Sequence, residues 1–145
     1  MFVGWSFGGA AVFTVGGQDH RTIGCATVAS QSAETEEITS LAPRPVLLLH
    51  GTGDRRLRHS CSERLYSMYG AKGDRQIKLF EGDDHALTQN SLETEQLIGG
   101  FILRCAGVMV GDEAAEVLAE KLIDKEDKVE LMKQGGDLRG SENVA

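Results

Sequence analysis

The sequence predicts an α/β fold in which a parallel sheet is flanked by helices. Two observations carry most of that prediction. Thr22 to Ala29 and Val46 to Leu49 are near-continuous apolar runs of strand length with no polar face, as expected of parallel strands covered on both sides. Segments of helical composition, bounded by glycine or proline, alternate with these runs. At 145 residues the chain is long enough for one core and too short for two ordinary domains.

Met1-Phe2-Val3 reads as the last piece of a buried strand, leading straight into Gly4-Trp5-Ser6-Phe7-Gly8. Gly4 and Gly8 are expected to flank a strained turn in which any Cβ would collide with neighbouring backbone. Gly9 to Val15 is small and apolar, which suits a helix packed closely on a sheet, and Gly16-Gly17 is expected to stop it. The Thr22–Ala29 strand follows, then a polar loop from Ser30 to Glu37 and a single helical turn over Ile38 to Leu41, ended by Pro43 and Pro45.

Val46 to Leu49 is the strongest strand, and the chain leaves it through His50-Gly51-Thr52-Gly53-Asp54. A helix is predicted from Ser60 to Tyr69, with Ser60 as N-cap, Glu63 completing a capping box and Gly70 and Gly73 at its end. Gln76 to Phe80 alternates polar and apolar residues and reads as a strand nearer the sheet edge, followed by the acidic loop Glu81-Gly82-Asp83-Asp84-His85. A further helix starting at Asn90 would present Leu92, Leu97, Ile98, Phe101 and Ile102 to the core. These elements form one α/β domain over residues 1–106. Residues 107–145 read as an acidic amphipathic helix, Asp112 to Lys133, and a flexible tail.

Composition narrows the function classes. Apolar residues are 41% and charged residues 26%, as in ordinary globular domains, and no apolar run is long enough to span a bilayer. The net charge of −7 disfavours nucleic acid as a partner, since a phosphate backbone calls for a basic face. Most of that charge lies beyond residue 106, so the body is nearly neutral. Cys25, Cys61 and Cys105 are widely spaced, form no metal-binding or redox pair, and are expected to be reduced and mostly buried. The apolar N-terminus has no basic n-region, and the cytoplasm is the expected compartment.

Gly4-Trp5-Ser6-Phe7-Gly8 has the form Gly-x-Ser-x-Gly, in which a strand-to-helix turn holds a serine hydroxyl at a helix N-terminus. Alone, such a motif is as readily a glycine-rich turn. Downstream, however, Asp54 and His85 stand just beyond two further strands, in the order serine, acid, histidine. The pattern predicts Ser6 as nucleophile, His85 as base, Asp54 as the acid that orients it, and the Phe7 N–H as an oxyanion donor. Asp83 and Asp84 compete with Asp54 by proximity to His85 in sequence, though adjacency does not supply geometry. His20 and His59 lie in polar stretches and read as surface residues. His50-Gly51-Thr52-Gly53 is similar to a histidine-glycine oxyanion loop, but it follows the nucleophile and is read as the end of the acid-bearing strand.

The segments Gly4-Trp5-Ser6-Phe7-Gly8-Gly9, Leu48-Leu49-His50-Gly51-Thr52-Gly53-Asp54 and Gly82-Asp83-Asp84-His85 together resemble the C-terminal half of an α/β-hydrolase, closest to its dienelactone-hydrolase and serine-peptidase-like branch. The resemblance covers about Met1 to Ala106. It implies a partial α/β-hydrolase fold, a small acyl substrate such as a carboxylic ester, and no metal or cofactor. Dienelactone hydrolases use cysteine where this chain has Ser6, which favours esterase, thioesterase or peptidase chemistry, with peptidase behind the other two. Such enzymes also place several strands, and the second oxyanion loop, before the nucleophile. The chain is therefore expected to be a truncated product whose sheet edge near Met1–Val3 is covered by a second copy or another chain. The alternative to a working hydrolase is an inactive remnant serving as an interaction or dimerisation module.

Overall fold

The structure, a computed structural model, describes residues 1–109 and 111. The expected helix from Asp112 to Lys133 and the tail after it lie outside the described residues. Four parallel strands form one sheet in the order β1 (Phe2–Trp5), β2 (Cys25–Val28), β3 (Val46–Gly51) and β4 (Arg75–Phe80). Among the described residues three α-helices alternate with them: α1 (Gly8–Gln18), α2 (Ser60–Tyr69) and α3 (Ser91–Cys105), with a 3-10 turn at Glu36–Ser40.

The apolar run of β3 explains the layering. Val46 and Leu48 point to one face and pack with Val12 and Phe13 of α1, Leu65 and Tyr69 of α2, and Ile38 and Leu41. Leu47 and Leu49 point to the other face and pack with Phe101 of α3, Phe80 and Leu87. A strand with helices on both sides has no solvent face, so neither set of alternate residues can be polar. Fully burying a leucine contributes roughly 1.5–3 kcal/mol, and β3 holds three with at most 2% exposure.

Several local expectations are corrected. Helix α1 does not stop at Gly16-Gly17 but continues to Gln18. Those glycines serve close packing: a Cβ on Gly16 would meet Cys25 Sγ at 2.5 Å, and one on Gly17 would meet the Glu37 carbonyl oxygen at 2.5 Å. Ser60 is the first residue inside α2 and not its cap. The N-cap is His59, which makes no side-chain capping bond, so the predicted capping box is absent. In α3, Phe101 is buried and Leu97 and Ile98 pack against the core, whereas Leu92 and Ile102 are exposed.

Strand β1 is less buried than expected. Val3 and Trp5 are exposed, and only alternate residues turn inward. The Phe2 N–H donates to Gly24 and the Ser6 N–H to Val28, so the intervening peptide groups of Val3 and Trp5 face away from β2. Of the cysteines, all free, Cys25 is buried and Cys61 and Cys105 are half-buried. Burial pushes the Cys25 thiol up to about 11, which keeps it protonated and inert. No described helix is long and apolar enough to cross a membrane.

Candidate active site

The carboxyl ends of β1, β3 and β4 lie on one side of the sheet, and each delivers one of the residues singled out in the sequence. At the end of β1 the chain turns into α1 through Ser6, whose φ of +55° is a conformation that L-residues seldom adopt. The turn is held by the Ser6 N–H donating to Val28 and the Gly9 N–H donating back to the Ser6 carbonyl. Gly4 is required there, since a Cβ would meet the Gly8 carbonyl oxygen at 2.7 Å. Gly8 is not, because a Cβ would have open space around it. The second crowded position is Gly9, packed on Ser30.

Asp54 follows β3 and His85 follows β4. Their loops are stitched together by two backbone bonds and one to a side chain: the Gly53 N–H donates to the Asp83 carbonyl at 2.9 Å, the Thr52 N–H to the Phe80 carbonyl at 2.9 Å, and the Gly82 N–H to Thr52 Oγ1 at 2.8 Å. A Cβ on Gly51 would strike the Asp83 carbonyl, so the glycine lets the two loops touch. Ser6, Asp54 and His85 come together as a result. Ser6 Oγ lies 2.9 Å from His85 Nε2, and His85 Nδ1 lies 2.6 Å from Asp54 Oδ2. All three are buried or nearly so. With Nδ1–H directed at the carboxylate, the Nε2 lone pair is left to accept the Ser6 hydroxyl proton.

The carboxylate is fully engaged. Asp54 Oδ1 accepts the Arg56 and Leu57 amide N–H groups at 2.7 and 3.0 Å, while Oδ2 faces both His85 Nδ1 and His50 Nε2, the latter at 3.2 Å. Burial pushes the Asp54 pKa up, but the histidine and amide donors outweigh it and hold the group well below the usual carboxylate range. The rival carboxylates are occupied elsewhere. Asp83 is buried and accepts the Gln89 and Asn90 N–H groups and Asn90 Nδ2, closing the entry to α3. Asp84 accepts from the Ala86 and Thr88 N–H groups and the Thr88 hydroxyl. His20 is exposed and His59 half-buried; neither joins the cluster.

Phe7 is the N-cap of α1, and its N–H donates to no acceptor among the described residues. The first turn of α1 contains no acid, so the positive end of its dipole is left uncompensated beside Ser6 Oγ. Among the described residues no group of three or more His, Cys, Asp or Glu side chains is arranged to hold a metal ion.

Three neighbours escaped the sequence reading. Trp5 Nε1 donates to the His85 carbonyl at 2.9 Å, and its ring lies 5.1 Å from the imidazole. His50 and Ser62 lie behind Asp54, joined Nδ1 to Oγ at 2.7 Å. Trp5 had a signal, its place inside the motif; Ser62 had none.

No protein-family model matches the sequence, and no curated protein matches it. Solved structures do. Est1E from Butyrivibrio proteoclasticus superposes with a TM-score of 0.62 at 13% identity, over 72% of this chain and 60% of that one. The esterase domain of a Rhodothermus marinus protein gives 0.60 at 19% identity, over 70% and 60%. The chain has a partial α/β-hydrolase fold. An acylaminoacyl peptidase from Pyrococcus horikoshii gives 0.61 at 12% identity, over 88% of this chain and 26% of the peptidase. The chain thus spans about 60% of the length of the two esterase structures. Within the α/β-hydrolase fold, the turn after β1 and the loops after β3 and β4 are where ligands approach, beyond the carboxyl ends of a parallel sheet.

Proposed function

We propose that the chain is a serine hydrolase acting on carboxylic esters or related acyl substrates, with Ser6 as nucleophile, His85 as general base and acid, and Asp54 as the orienting carboxylate. The observation that carries this reading is the continuous contact from Ser6 Oγ to His85 Nε2 and from His85 Nδ1 to Asp54 Oδ2, at 2.9 and 2.6 Å. In the acylation step His85 Nε2 takes the hydroxyl proton as Ser6 Oγ bonds to the substrate carbonyl carbon. The carbonyl oxygen becomes an oxyanion, which the Phe7 N–H and the α1 N-terminus stabilise; a donor of this type is typically worth about 3–4 kcal/mol of barrier. As the oxyanion collapses, the bond to the leaving group breaks and His85 returns the proton to it. Water then repeats the sequence on the acyl-enzyme and restores Ser6. Throughout, Asp54 keeps the proton on Nδ1 and stabilises the imidazolium.

The esterase fold of the structural neighbours supports hydrolase chemistry in general, and a serine in the motif suits ester or thioester cleavage. The test is a fluorophosphonate probe applied to the purified chain. Labelling at Ser6 that vanishes in Ser6→Ala and drops sharply in His85→Ala is expected. Folded protein that takes up no probe would leave a hydrolase-like scaffold without the activity.

A further inference from the structure

We propose that His50 is a positioning residue for the Ser6–His85–Asp54 site: it restrains the Asp54 carboxylate at the same Oδ2 oxygen that His85 Nδ1 meets, and Ser62 in turn fixes the tautomer of His50. The inference rests on the hydrolase reading for what the carboxylate is held to do, but its geometry stands apart from that reading.

His50 lies in β3, behind a run of valine and leucine, and is fully buried. Packing alone does not call for an imidazole there, because a buried ring nitrogen without a partner costs free energy that an apolar residue avoids. Both nitrogens are engaged. Nε2 lies 2.9 Å from the Leu57 carbonyl oxygen and 3.2 Å from Asp54 Oδ2. Both neighbours are acceptors only, so Nε2 carries the proton and donates to the two in a three-centred bond. Nδ1 then offers its lone pair to the Ser62 hydroxyl, 2.7 Å away. Ser62 Oγ is buried and has no other partner among the described residues, so its proton has one destination.

A closed ring of bonds follows. The Leu57 N–H donates to Asp54 Oδ1 at 3.0 Å, the Leu57 carbonyl accepts from His50, and His50 also reaches Asp54 Oδ2. The loop bearing the acid is thereby tied to β3, and through Ser62 to the first turn of α2. Removing the His50 N–H frees the Leu57 carbonyl and leaves Oδ2 bonded to His85 alone. The carboxylate can then rotate, and the His85 ring loses its fixed partner.

The test uses the full chain and the variants His50→Phe, His50→Gln and Ser62→Ala, each checked for folding by circular dichroism. Two quantities are read: the rate of fluorophosphonate labelling of folded protein, and the low-field proton NMR signal of the His85 Nδ1–H bonded to Asp54. His50→Phe is expected to slow labelling by about 10- to 100-fold, the range seen when the outer hydrogen-bond partners that orient site residues in metal centres are lost, and to displace or broaden the NMR signal. His50→Gln, whose amide N–H reaches the Nε2 position, is expected to recover most of both. Ser62→Ala is expected to give a smaller loss in the same direction, and it decides the matter if His50→Phe does not fold. Wild-type labelling rates and an unmoved signal in folded His50→Phe, or in Ser62→Ala if His50→Phe is unfolded, would overturn the proposal. If wild-type protein shows the signal but never labels, the hydrolase reading falls, and the signal in the variants still judges the role of His50.

Discussion

The indole of Trp5 and the imidazole of His85 lie with ring centroids 5.1 Å apart, and Trp5 Nε1 donates to the His85 carbonyl oxygen at 2.9 Å. Trp5, the residue preceding Ser6, therefore holds both the ring and the backbone of His85. Trp5→Phe keeps an aromatic ring and deletes the N–H. It is expected to cost about 1 kcal/mol, the usual net worth of one such bond, and to slow labelling at Ser6 because the His85 loop loses its tie to β1. Trp5→Leu removes the ring contact as well and should slow labelling further. Unfolding is best followed by circular dichroism, since Trp5 is the only tryptophan. Unchanged labelling in both variants would remove Trp5 from the site.

Glycines in and near the site separate by what surrounds them. A Cβ on Gly51 would strike the Asp83 carbonyl, where the loops bearing Asp54 and His85 are bonded to each other, and backbone there has no room to retreat. Gly51→Ala is expected to destabilise by about 1–3 kcal/mol, the range for overpacking, and to slow labelling by separating Asp54 from His85. Gly8 meets nothing within 4 Å and starts α1. Gly8→Ala is expected to retain full stability or gain up to about 1 kcal/mol from helix propensity. Urea unfolding of the two variants side by side checks the contrast.

What the sequence made legible was whatever a contiguous stretch of chain can carry. Val46 to Leu49 reads as a strand from its own composition, and Ser6, Asp54 and His85 stand out because their chemistry is recognisable at strand ends. The misreadings share one cause. Gly16-Gly17 reads as a helix stop until Cys25 and Glu37 are known to press against it, and Gly8 reads as crowded until the crowding is found at Gly9. His50 could be placed on the acid-bearing strand, but its bond to Ser62 joins a strand to a helix, and no spacing rule encodes that contact. Likewise Asp83 and Asp54 are both acids near His85 in one sense or another, and only the folded loop shows Asp83 closing the entry to α3.

Arg44 offers a test of the scaffold apart from the site. Its guanidinium donates to the carbonyl oxygens of Gly16, Asp19, Ser40 and Leu41 at 2.8–3.0 Å, and reaches Gly17 at 3.4 Å. Those carbonyls belong to the end of α1 and to the end of the Glu36–Ser40 turn, where a cation also meets the negative end of the helix dipole. Arg44→Ala is expected to cost about 2 kcal/mol or more, since hydrogen bonds to charged groups are worth about 1.5–3 kcal/mol each and are not additive. Arg44→Lys should recover only part, because an ammonium cannot span the fork. Probe labelling per folded molecule is expected to stay at the wild-type level in both.

The depressed pKa of Asp54 links the site to stability. A carboxylate held below its unfolded value of about 3.9 stabilises the fold fully above that pH, and the contribution is lost as pH falls through the folded value. Asp19 and Asp84 are lowered too, Asp19 to about 2 by its Arg21 hydrogen bonds and Asp84 by Thr88 and Ala86 donors against the opposing effect of burial. Wild-type stability should therefore decline from about pH 5 downward for more than one reason. Asp54→Asn separates them, because it retains the other two carboxylates and cannot titrate at position 54. The stability difference between wild type and Asp54→Asn, measured by urea unfolding, is expected to be greatest near neutrality and to narrow below about pH 4. At neutral pH the same variant should label about 1,000- to 10,000-fold more slowly, since an amide that presents its N–H to His85 favours the wrong imidazole tautomer. A stability difference that stays constant between neutral and acidic pH would mean that Asp54 does not enter the folded state as a stabilised carboxylate, and the orientation of His85 would then need another source.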